Sequence, residues 1–357
     1  MSASAHPPRT EPVHPADGRS DPAAAKRAQA RHEKVTAGLA ELQIWLVDQV
    51  RAGLAALPQA GYGHFDTVAA RMVDAQAPGV AGVLRSMPAE LTATDWPERT
   101  LTVLGGLYLL TEAHRRLDRL PDDLAATICS RVGYPVSKEQ VRTRPAVTDR
   151  WWALAAVDEV AYQLTSRRVW LRGLDTGRWA MWLTFAPPGR ELDTSIQPSG
   201  VYACPAHFYP GSGQYRALIE PPLPQVQPAD VAVRVDRPGD AELLARTWHG
   251  DDLVGVGEEF AALLAVDPWA SRLPVVLRGI PQAPRGGAGW RIRDLFGAVV
   301  PLLDVSDGWP LIAQSGGESI ELMGEYDGRG LRPLAVLPDA RGRRYEPVAT
   351  SMTGASR

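Results

Sequence analysis

The chain has 357 residues, of which 45% are hydrophobic, enough apolar material for roughly two to three domains with cores of their own. Its formal charge is only -3, from 38 basic and 41 acidic residues, which argues against a general polyanion binder. The two cysteines argue against a disulfide scaffold and fit a cytoplasmic protein. The most apolar run, Leu101 to Leu110, is about half the length that a membrane span needs, and no signal peptide is visible, so we expect no membrane association.

The N-terminus has the composition of a linker followed by a long helix. Residues 1–19 are dominated by Pro, His, Ser and Ala, which predicts a disordered, linker-like tail. Ser20-Asp21-Pro22 then supplies a cap and a first-turn proline. Apolar residues follow at steps of three and four, which places them on one helix face. They are Val35, Leu39, Leu42, Leu46, Val50, Leu54 and Leu57.

Three further helices are predicted after the first. One is interrupted at Pro78-Gly79, because proline breaks the helix that precedes it. The next begins at Asp95-Trp96-Pro97-Glu98, which has capping-box spacing. The last ends near Gly133, since glycine commonly closes a helix and Pro135 prevents its continuation. Residues 20–135 are therefore predicted to form a helical bundle.

A β domain is predicted after the bundle, because tryptophans and β-branched residues recur with a period nearer two. Val169 to Gly173 and Trp179 to Phe185 flank a polar connection suited to a hairpin turn. Val201 to Tyr209 is another predicted strand. We therefore predict a Trp-rich β domain over residues 146–220.

The last domain is predicted over residues 239–338, as a helix within Asp240 to Val266 followed by a small sheet or barrel. Its predicted strands are Val275 to Ile280, Trp290 to Arg293, Ala298 to Leu302, Trp309 to Ser315, Ile320 to Tyr326, and Leu331 to Leu337. Asp327-Gly328 is a strong hairpin signal between the last two. With a second disordered tail over 339–357, the predicted class is α+β: an N-terminal helical bundle followed by antiparallel β-rich domains with one intervening helical segment.

Several stretches resemble the actinobacterial SWIM zinc-finger proteins, in the region that follows the finger. They are Gly53-Leu54-Ala55-Ala56, Gly61-Tyr62-Gly63, Ala69 to Gly79, Leu124-Ala125-Ala126-Thr127, Trp170-Leu171-Arg172-Gly173, and Gly324-Glu325-Tyr326 with Pro333-Leu334-Ala335. The resemblance runs from about Ala23 to about Leu337 and is stronger in the first half. The finger needs a Cys-x-Cys and a later Cys-x-His, which this sequence lacks. We expect either a finger-less relative or a true start upstream of Met1.

The resemblance also implies partners. Genes for such SWIM proteins typically lie beside those of a MoxR-type AAA+ ATPase and of von Willebrand A-domain proteins, which implies a part in a chaperone-like assembly. The expected partner is therefore a protein, and the resemblance points to one of these two. The alternative is a nucleic-acid-associated zinc protein that has lost its finger or whose sequence begins too late; without the finger, a nucleic-acid partner is not favoured.

Familiar catalytic and metal-binding motifs are missing from the sequence. Gly255-Val256-Gly257 lacks the third glycine and the preceding strand of a dinucleotide loop. Cys204 and His207 could share a metal, but two ligands are half of a tetrahedral site, and the other interpretation is a strand pair that points in different directions. Cys129 lies in a helical pattern, where burial is the default for a thiol. We predict no catalytic residue, cofactor or metal; the third hypothesis, an enzyme with an unfamiliar site, requires a perturbed group in a cleft.

Two groups of residues are candidates for a protein interface. Arg115, Arg116 and Arg119 form a basic ridge at the end of the third helix that could meet an acidic partner, although cations also have a structural reason to lie there. Tryptophans cluster in the first β segment, where the two interpretations are interface anchoring and core packing. The interface candidates among them are Trp170, Trp179 and Trp182. The predicted function is a non-enzymatic, protein-binding or scaffold component.

Overall fold

The structure, a computed structural model, describes residues 22–161, 164–220, 252–286, 289–338 and 345–348. These residues fall into two compact units, Met1–Thr111 and Glu112–Arg357. The predicted tail over residues 1–19, most of the predicted tail over 339–357 and the beginning of the helix predicted from Asp240 lie outside the described residues.

Helices make up the first unit. They are α1 (Pro22–Ala52), α2 (Tyr62–Asp74), α3 (Pro78–Glu90) and α4 (Trp96–His114), which ends just inside the second unit; a 3-10 turn (Leu54–Gln59) separates the first two. The face of α1 from Val35 to Leu46 is buried as predicted. The predicted continuation of that face to Leu57 is wrong, because Gly53 with φ 86° ends the helix and Val50 is 51% exposed.

Two helices open the second unit: α5 (Asp122–Val132) and α6 (Lys138–Arg142). The first ends as predicted, at Gly133, whose φ of 106° suits a residue without a Cβ atom. A capping box between Ser137 and Gln140 begins the second. The N-terminal part of the chain is thus a helical bundle.

Five antiparallel strands form the first sheet: β1 (Ala146–Ala161), β2 (Leu164–Gly173), β3 (Trp179–Ala186), β4 (Val201–Phe208) and β5 (Ala217–Leu218). Their order is β3-β2-β1-β4-β5. The predicted hairpin is confirmed, since β2 pairs with β3 and Arg172 lies opposite Trp179. The sequence did not delimit the central 16-residue strand β1, because Trp151 to Ala155 are all buried and the alternation of a half-buried strand is lost there.

A helix and a second sheet follow. The elements are α7 (Leu253–Val266), β6 (Leu273–Gln282), β7 (Arg291–Asp294), β8 (Val299–Pro301), α8 (Trp309–Ser315), β9 (Ile320–Tyr326), β10 (Leu331–Val336) and β11 (Glu346–Pro347). The sheet order is β11-β10-β9-β6-β7-β8, and the hairpin predicted at Asp327-Gly328 is confirmed. The strand predicted at Trp309 is wrong: Pro310 suits a first helical turn, and Leu311 and Ser315, four residues apart, are the buried positions.

The two sheets share a core cluster, which includes Trp152, Leu154 and Trp170 from the first sheet and Met323 and Leu334 from the second. The other face of the first sheet packs its own cluster around Trp151 and Tyr202. The other face of the second sheet packs against α7. The chain has the predicted α+β class, with antiparallel sheets after the bundle. Of the helices that the structure describes, none combines the length and apolarity needed to cross a bilayer.

Candidate functional site

A rigid turn between β2 and β3 positions the candidate site. Asp149, which is buried, accepts hydrogen bonds from the backbone N–H groups of Arg150, Asp175 and Thr176 at 2.6, 2.9 and 3.0 Å, and from the Thr176 hydroxyl at 2.5 Å. The Gly173 N–H donates to the Arg178 carbonyl at 2.9 Å. The backbone on both sides of the turn is therefore fixed before any ligand binds.

The tryptophans of this hairpin differ in exposure. Trp170 and Trp182 are buried: the Trp170 Nε1 donates to Glu325 Oε1 at 2.7 Å, and the Trp182 Nε1 donates to the Ile219 carbonyl at 3.2 Å. Of the two interpretations, core packing therefore holds for Trp170 and Trp182, because each ring fills a core and its polar atom is satisfied inside the protein. Trp179 is half-buried, with one ring edge toward Trp170 at a centroid distance of 6.3 Å.

A cleft of about 490 Å³ lies beside Trp179. Its walls come from the hairpin, from α7 and from β6, together with Tyr215 in the loop before β5. The polar side chains that line it are those of Arg172, Arg178, Trp179, Tyr215 and Glu259. Ala262 and Val266 add exposed apolar surface, and the buried Leu263 and Val276 also line the cleft. The cleft is large enough for a ligand or for several side chains of a partner.

A second cleft, of about 330 Å³, adjoins the first and shares Arg178, Trp179 and Tyr215 with it. It adds Asp123, Arg144, Phe208, Tyr209, Gly211, Gly213 and Gln214. We call the two clefts together the arginine–tryptophan groove. Its loop wall is held by α5, because the Ser212 N–H donates to the Thr127 hydroxyl at 2.8 Å.

Two cations of the groove, the buried Arg172 and the exposed Arg178, lie against aromatic rings. The Arg178 guanidinium lies 3.7 Å from the centre of the Phe208 ring, and that of Arg172 lies 4.8 Å from the centre of the Trp179 ring. Burial lowers the pKa of both arginines, and for Arg172 the nearby Glu259 carboxylate opposes that change. Burial, reinforced by the charge of Glu259, raises the pKa of Tyr215 to about 12. The groove therefore presents charged arginines and a neutral phenol at neutral pH.

An ion-pair network lies between the two sheets behind the groove. The Arg168 Nε donates to Glu325 Oε1 at 2.8 Å, and its Nη2 donates to Glu159 at 3.0 Å. Arg272 and Arg332 also lie within 4 Å of both carboxylates. Burial acts to raise the pKa of Glu159, but the hydrogen bonds and charges of these arginines outweigh it and lower that pKa to about 2. The network holds the two sheets together and has a structural role, because its carboxylates are already bound by arginines.

Comparison with known proteins places the first part of the chain. Residues 30–132 match the SWIM-associated four-helix bundle domain. The match runs from within α1 to the end of α5 and, over these residues, confirms the resemblance to the region that follows a SWIM finger. No curated protein and no solved structure matches the chain.

The predicted basic ridge lies in this SWIM-associated domain, just after α4. Arg115 and Arg116 are exposed and both donate to the Glu112 carboxylate, at 2.6 and 3.1 Å. Arg119 is exposed at the end of a single 3-10 turn. The ridge is thus on the surface, as an interface requires, and two of its members share one carboxylate.

The SWIM-associated domain also contributes to the groove through its last helix. Asp123 of α5 lines the second cleft, and the Arg131 Nη2 of the same helix donates to Asp267, at the end of α7, at 2.5 Å. Together with the bond between Thr127 and Ser212, the bond to Asp267 attaches α5 to the loop wall and to α7. The part of the chain that matches the domain family therefore takes part in positioning the candidate site.

The residues considered as metal ligands or nucleophiles are placed apart. Burial raises the pKa of Cys204 to about 11, while the His207 Nδ1 lies 2.9 Å from the Arg144 carbonyl. Strand residues three apart point to opposite faces, so the two cannot converge on one metal. Gly255 and Gly257 lie inside α7, not in a phosphate-binding loop. Within the described residues, no group of three His, Cys, Asp or Glu side chains could hold a metal.

The sequence singled out one member of the groove, Trp179, and missed Arg144, Arg172, Arg178 and Tyr215. The signal for Arg172 was present, because the predicted hairpin places it opposite Trp179. Arg144 and Tyr215 carried no such signal, since only the folded sheet brings these two loop residues to the hairpin.

Proposed function

We propose that the chain is a non-enzymatic, protein-binding or scaffold component of a larger assembly. The observation that carries this proposal is the arginine–tryptophan groove, because Arg, Trp and Tyr are the residue types that supply most binding energy at protein interfaces. The hairpin that presents them is fixed by the four hydrogen bonds to Asp149. A preorganised surface loses less conformational entropy on binding, which favours recognition.

The direction of the pKa shifts supports a binding role over a catalytic one. A general acid or base works best with a pKa near the operating pH. The pKa values of Glu159, Cys204 and Tyr215 instead move to about 2, about 11 and about 12, away from neutrality. Each group is locked in one protonation state, which suits a structural or binding surface.

The proposed partner rests on the resemblance to the SWIM zinc-finger proteins. We propose that the chain acts in the cytoplasm with a MoxR-type AAA+ ATPase or a von Willebrand A-domain protein, as the resemblance implies. In such an assembly the exposed ridge of Arg115, Arg116 and Arg119 would supply a second contact region with a positive charge.

Co-purification of the tagged chain from its native host at moderate salt tests this proposal. We expect one of the two neighbours to be enriched, and the same pair, purified separately, to elute together in size-exclusion chromatography. Recovery of the chain without either neighbour, followed by separate elution of the purified proteins, would remove the proposed assembly.

A further inference from the structure

We propose that the arginine–tryptophan groove binds an extended acidic segment of a protein partner, with carboxylates at Arg178 and Arg144 and apolar side chains against the wall formed by α7 and β6. This inference rests on the proposed function, because it states the chemistry of the partner that a protein-binding component would recognise. It assigns the occupant of the groove, which the domain match does not.

The charge pattern of the groove favours an acidic ligand. Two arginines near the groove residues form bidentate ion pairs. Arg142 pairs with Glu220, and Arg150 pairs with Asp175. By contrast, among the described residues no carboxylate lies within 4 Å of the Arg178 or Arg144 guanidinium, although Asp123 and Glu259 also line the groove. Within the part of the chain that the structure describes, Arg178 and Arg144 are thus cations without a carboxylate in contact.

The orientation of Arg178 also favours a carboxylate. Its guanidinium stacks on Phe208, and its backbone N–H donates to the Thr176 hydroxyl at 3.2 Å. A stacked guanidinium keeps its N–H groups at the edge of the plane, where they match the two oxygens of a carboxylate. Arg178 is exposed apart from the guanidinium face that Phe208 covers, and among the described residues no carboxylate contacts it. An incoming carboxylate can therefore form a charge-assisted hydrogen bond with its free N–H edge.

The walls of the groove favour a peptide over a nucleic acid. Single-stranded nucleic acids stack their bases on open aromatic faces. Here Arg172 covers one face of Trp179, and both Trp179 and Tyr215 are in edge contact with Trp170, at 6.3 and 5.6 Å between ring centres. Ala262 and Val266 of α7 are exposed and offer apolar surface that suits aliphatic side chains. A segment in which carboxylates alternate with apolar residues matches both kinds of wall.

The test measures binding of three fluorescent probes to the full chain by anisotropy. The probes are a peptide that alternates Glu and Leu, the same peptide with Gln in place of Glu, and an oligothymidylate of equal length. We expect the chain to bind the acidic peptide about tenfold more tightly than the neutral one, because two exposed ion pairs, at Arg178 and at Arg144, contribute a few-fold each.

Two substitutions with opposite expected effects on peptide affinity locate the binding site. Arg178→Gln should weaken binding of the acidic peptide a few-fold, which is what one exposed ion pair contributes. Glu259→Gln, which removes a negative charge from the groove wall, should tighten it a few-fold, about what removing one nearby like charge supplies. A gain in affinity cannot arise from loss of folding. The matched control is Arg285→Gln, the same charge change in an exposed loop after the far end of β6, which should change affinity by less than about twofold.

Several outcomes would overturn the inference. Equal weakening by Arg178→Gln and Arg285→Gln would mean that overall charge, and not the groove, attracts the peptide. Tighter binding of the oligothymidylate, lost in Arg178→Gln, would assign the groove to nucleic acid. If Arg178→Gln leaves co-purification of a neighbour unchanged, the proposed function stands, but the groove is not the contact site. If the peptide binds as expected but no neighbour co-purifies, the groove binds acidic segments and the proposed assembly is wrong.

Discussion

Trp170 of the first sheet donates its indole N–H to Glu325 of the second sheet at 2.7 Å, and so joins the two sheets directly behind the groove. Glu325 is 2% exposed, and the same oxygen accepts from Arg168 at 2.8 Å. The Trp170 ring also contacts Trp179 and Tyr215. One buried residue therefore couples the packing of the sheets to the position of the groove aromatics.

We expect Trp170→Phe to lower the free energy of unfolding by about 1–3 kcal/mol, because the buried Glu325 carboxylate loses a hydrogen-bond donor. Urea denaturation measures this change. Trp309→Phe is the control, since Trp309 is 61% exposed and a surface substitution of this kind costs little. An equal loss in both variants would show that the bond to Glu325 contributes nothing particular.

The second prediction concerns acid stability and Glu159. Its pKa is lowered from 4.5 to about 2 in the folded chain, so the folded state holds this proton less tightly than the unfolded state does. The stabilisation is therefore complete above about 4.5 and is lost as the pH falls toward about 2. Urea denaturation across this window should show a steeper loss of stability in the wild type than in Glu159→Gln. Parallel pH profiles for the two proteins would contradict the assignment.

Much of the fold follows from local sequence, while the groove does not. The hairpin at Asp327-Gly328 and the helix end at Gly133 were predictable because turn and cap chemistry is set by neighbouring residues. Trp309 to Ser315 was assigned to a strand because a short apolar run does not reveal its period. The groove joins α5, the β2–β3 hairpin and α7, which are distant in sequence, so only tertiary packing creates it.

The burial of the hairpin tryptophans also could not be predicted from local sequence. The pattern placed Trp170, Trp179 and Trp182 in neighbouring strands, but it could not show that the second sheet covers Trp170. Its indole N–H found a partner 155 positions away in the sequence. Burial of a strand face depends on what packs against it, and that partner lies outside any local window.

The third prediction tests the turn that presents Arg178 and Trp179. A Cβ atom on Gly173 would collide with the Asp149 carboxylate and lie 2.8 Å from the Thr176 hydroxyl. Gly173→Ala should therefore destabilise the chain by about 1–3 kcal/mol and weaken binding of the acidic peptide. Gly257→Ala is the matched control, since it lies inside α7 with no atom within 4 Å of the new Cβ and should be neutral or stabilising. The melting temperature of Gly173→Ala should fall, whereas that of Gly257→Ala should stay unchanged or rise.

The fourth prediction concerns metal. Because Cys204 is buried on one face of β4 and His207 lies on the other, the chain should purify with far less than stoichiometric zinc, and a chelator should leave its melting temperature unchanged. Elemental analysis and a thermal melt with EDTA measure the two effects. Stoichiometric zinc that disappears in Cys204→Ser would contradict this expectation.

The last prediction separates the two proposed contact regions by kinetics, with the neighbour that co-purifies immobilised on a surface. Arg119 is exposed on the ridge, so Arg119→Glu should slow association and leave dissociation nearly unchanged, because a rim charge acts mainly on the encounter rate. Trp179→Ala removes an aromatic anchor from a preformed groove, so it should speed dissociation about tenfold, as the loss of a well-packed aromatic contact does. Lys138→Glu, a charge reversal outside the ridge, controls for overall charge. If Arg119→Glu and Lys138→Glu slow association equally, the ridge has no special part, and if Trp179→Ala leaves dissociation unchanged, the groove does not contact that partner.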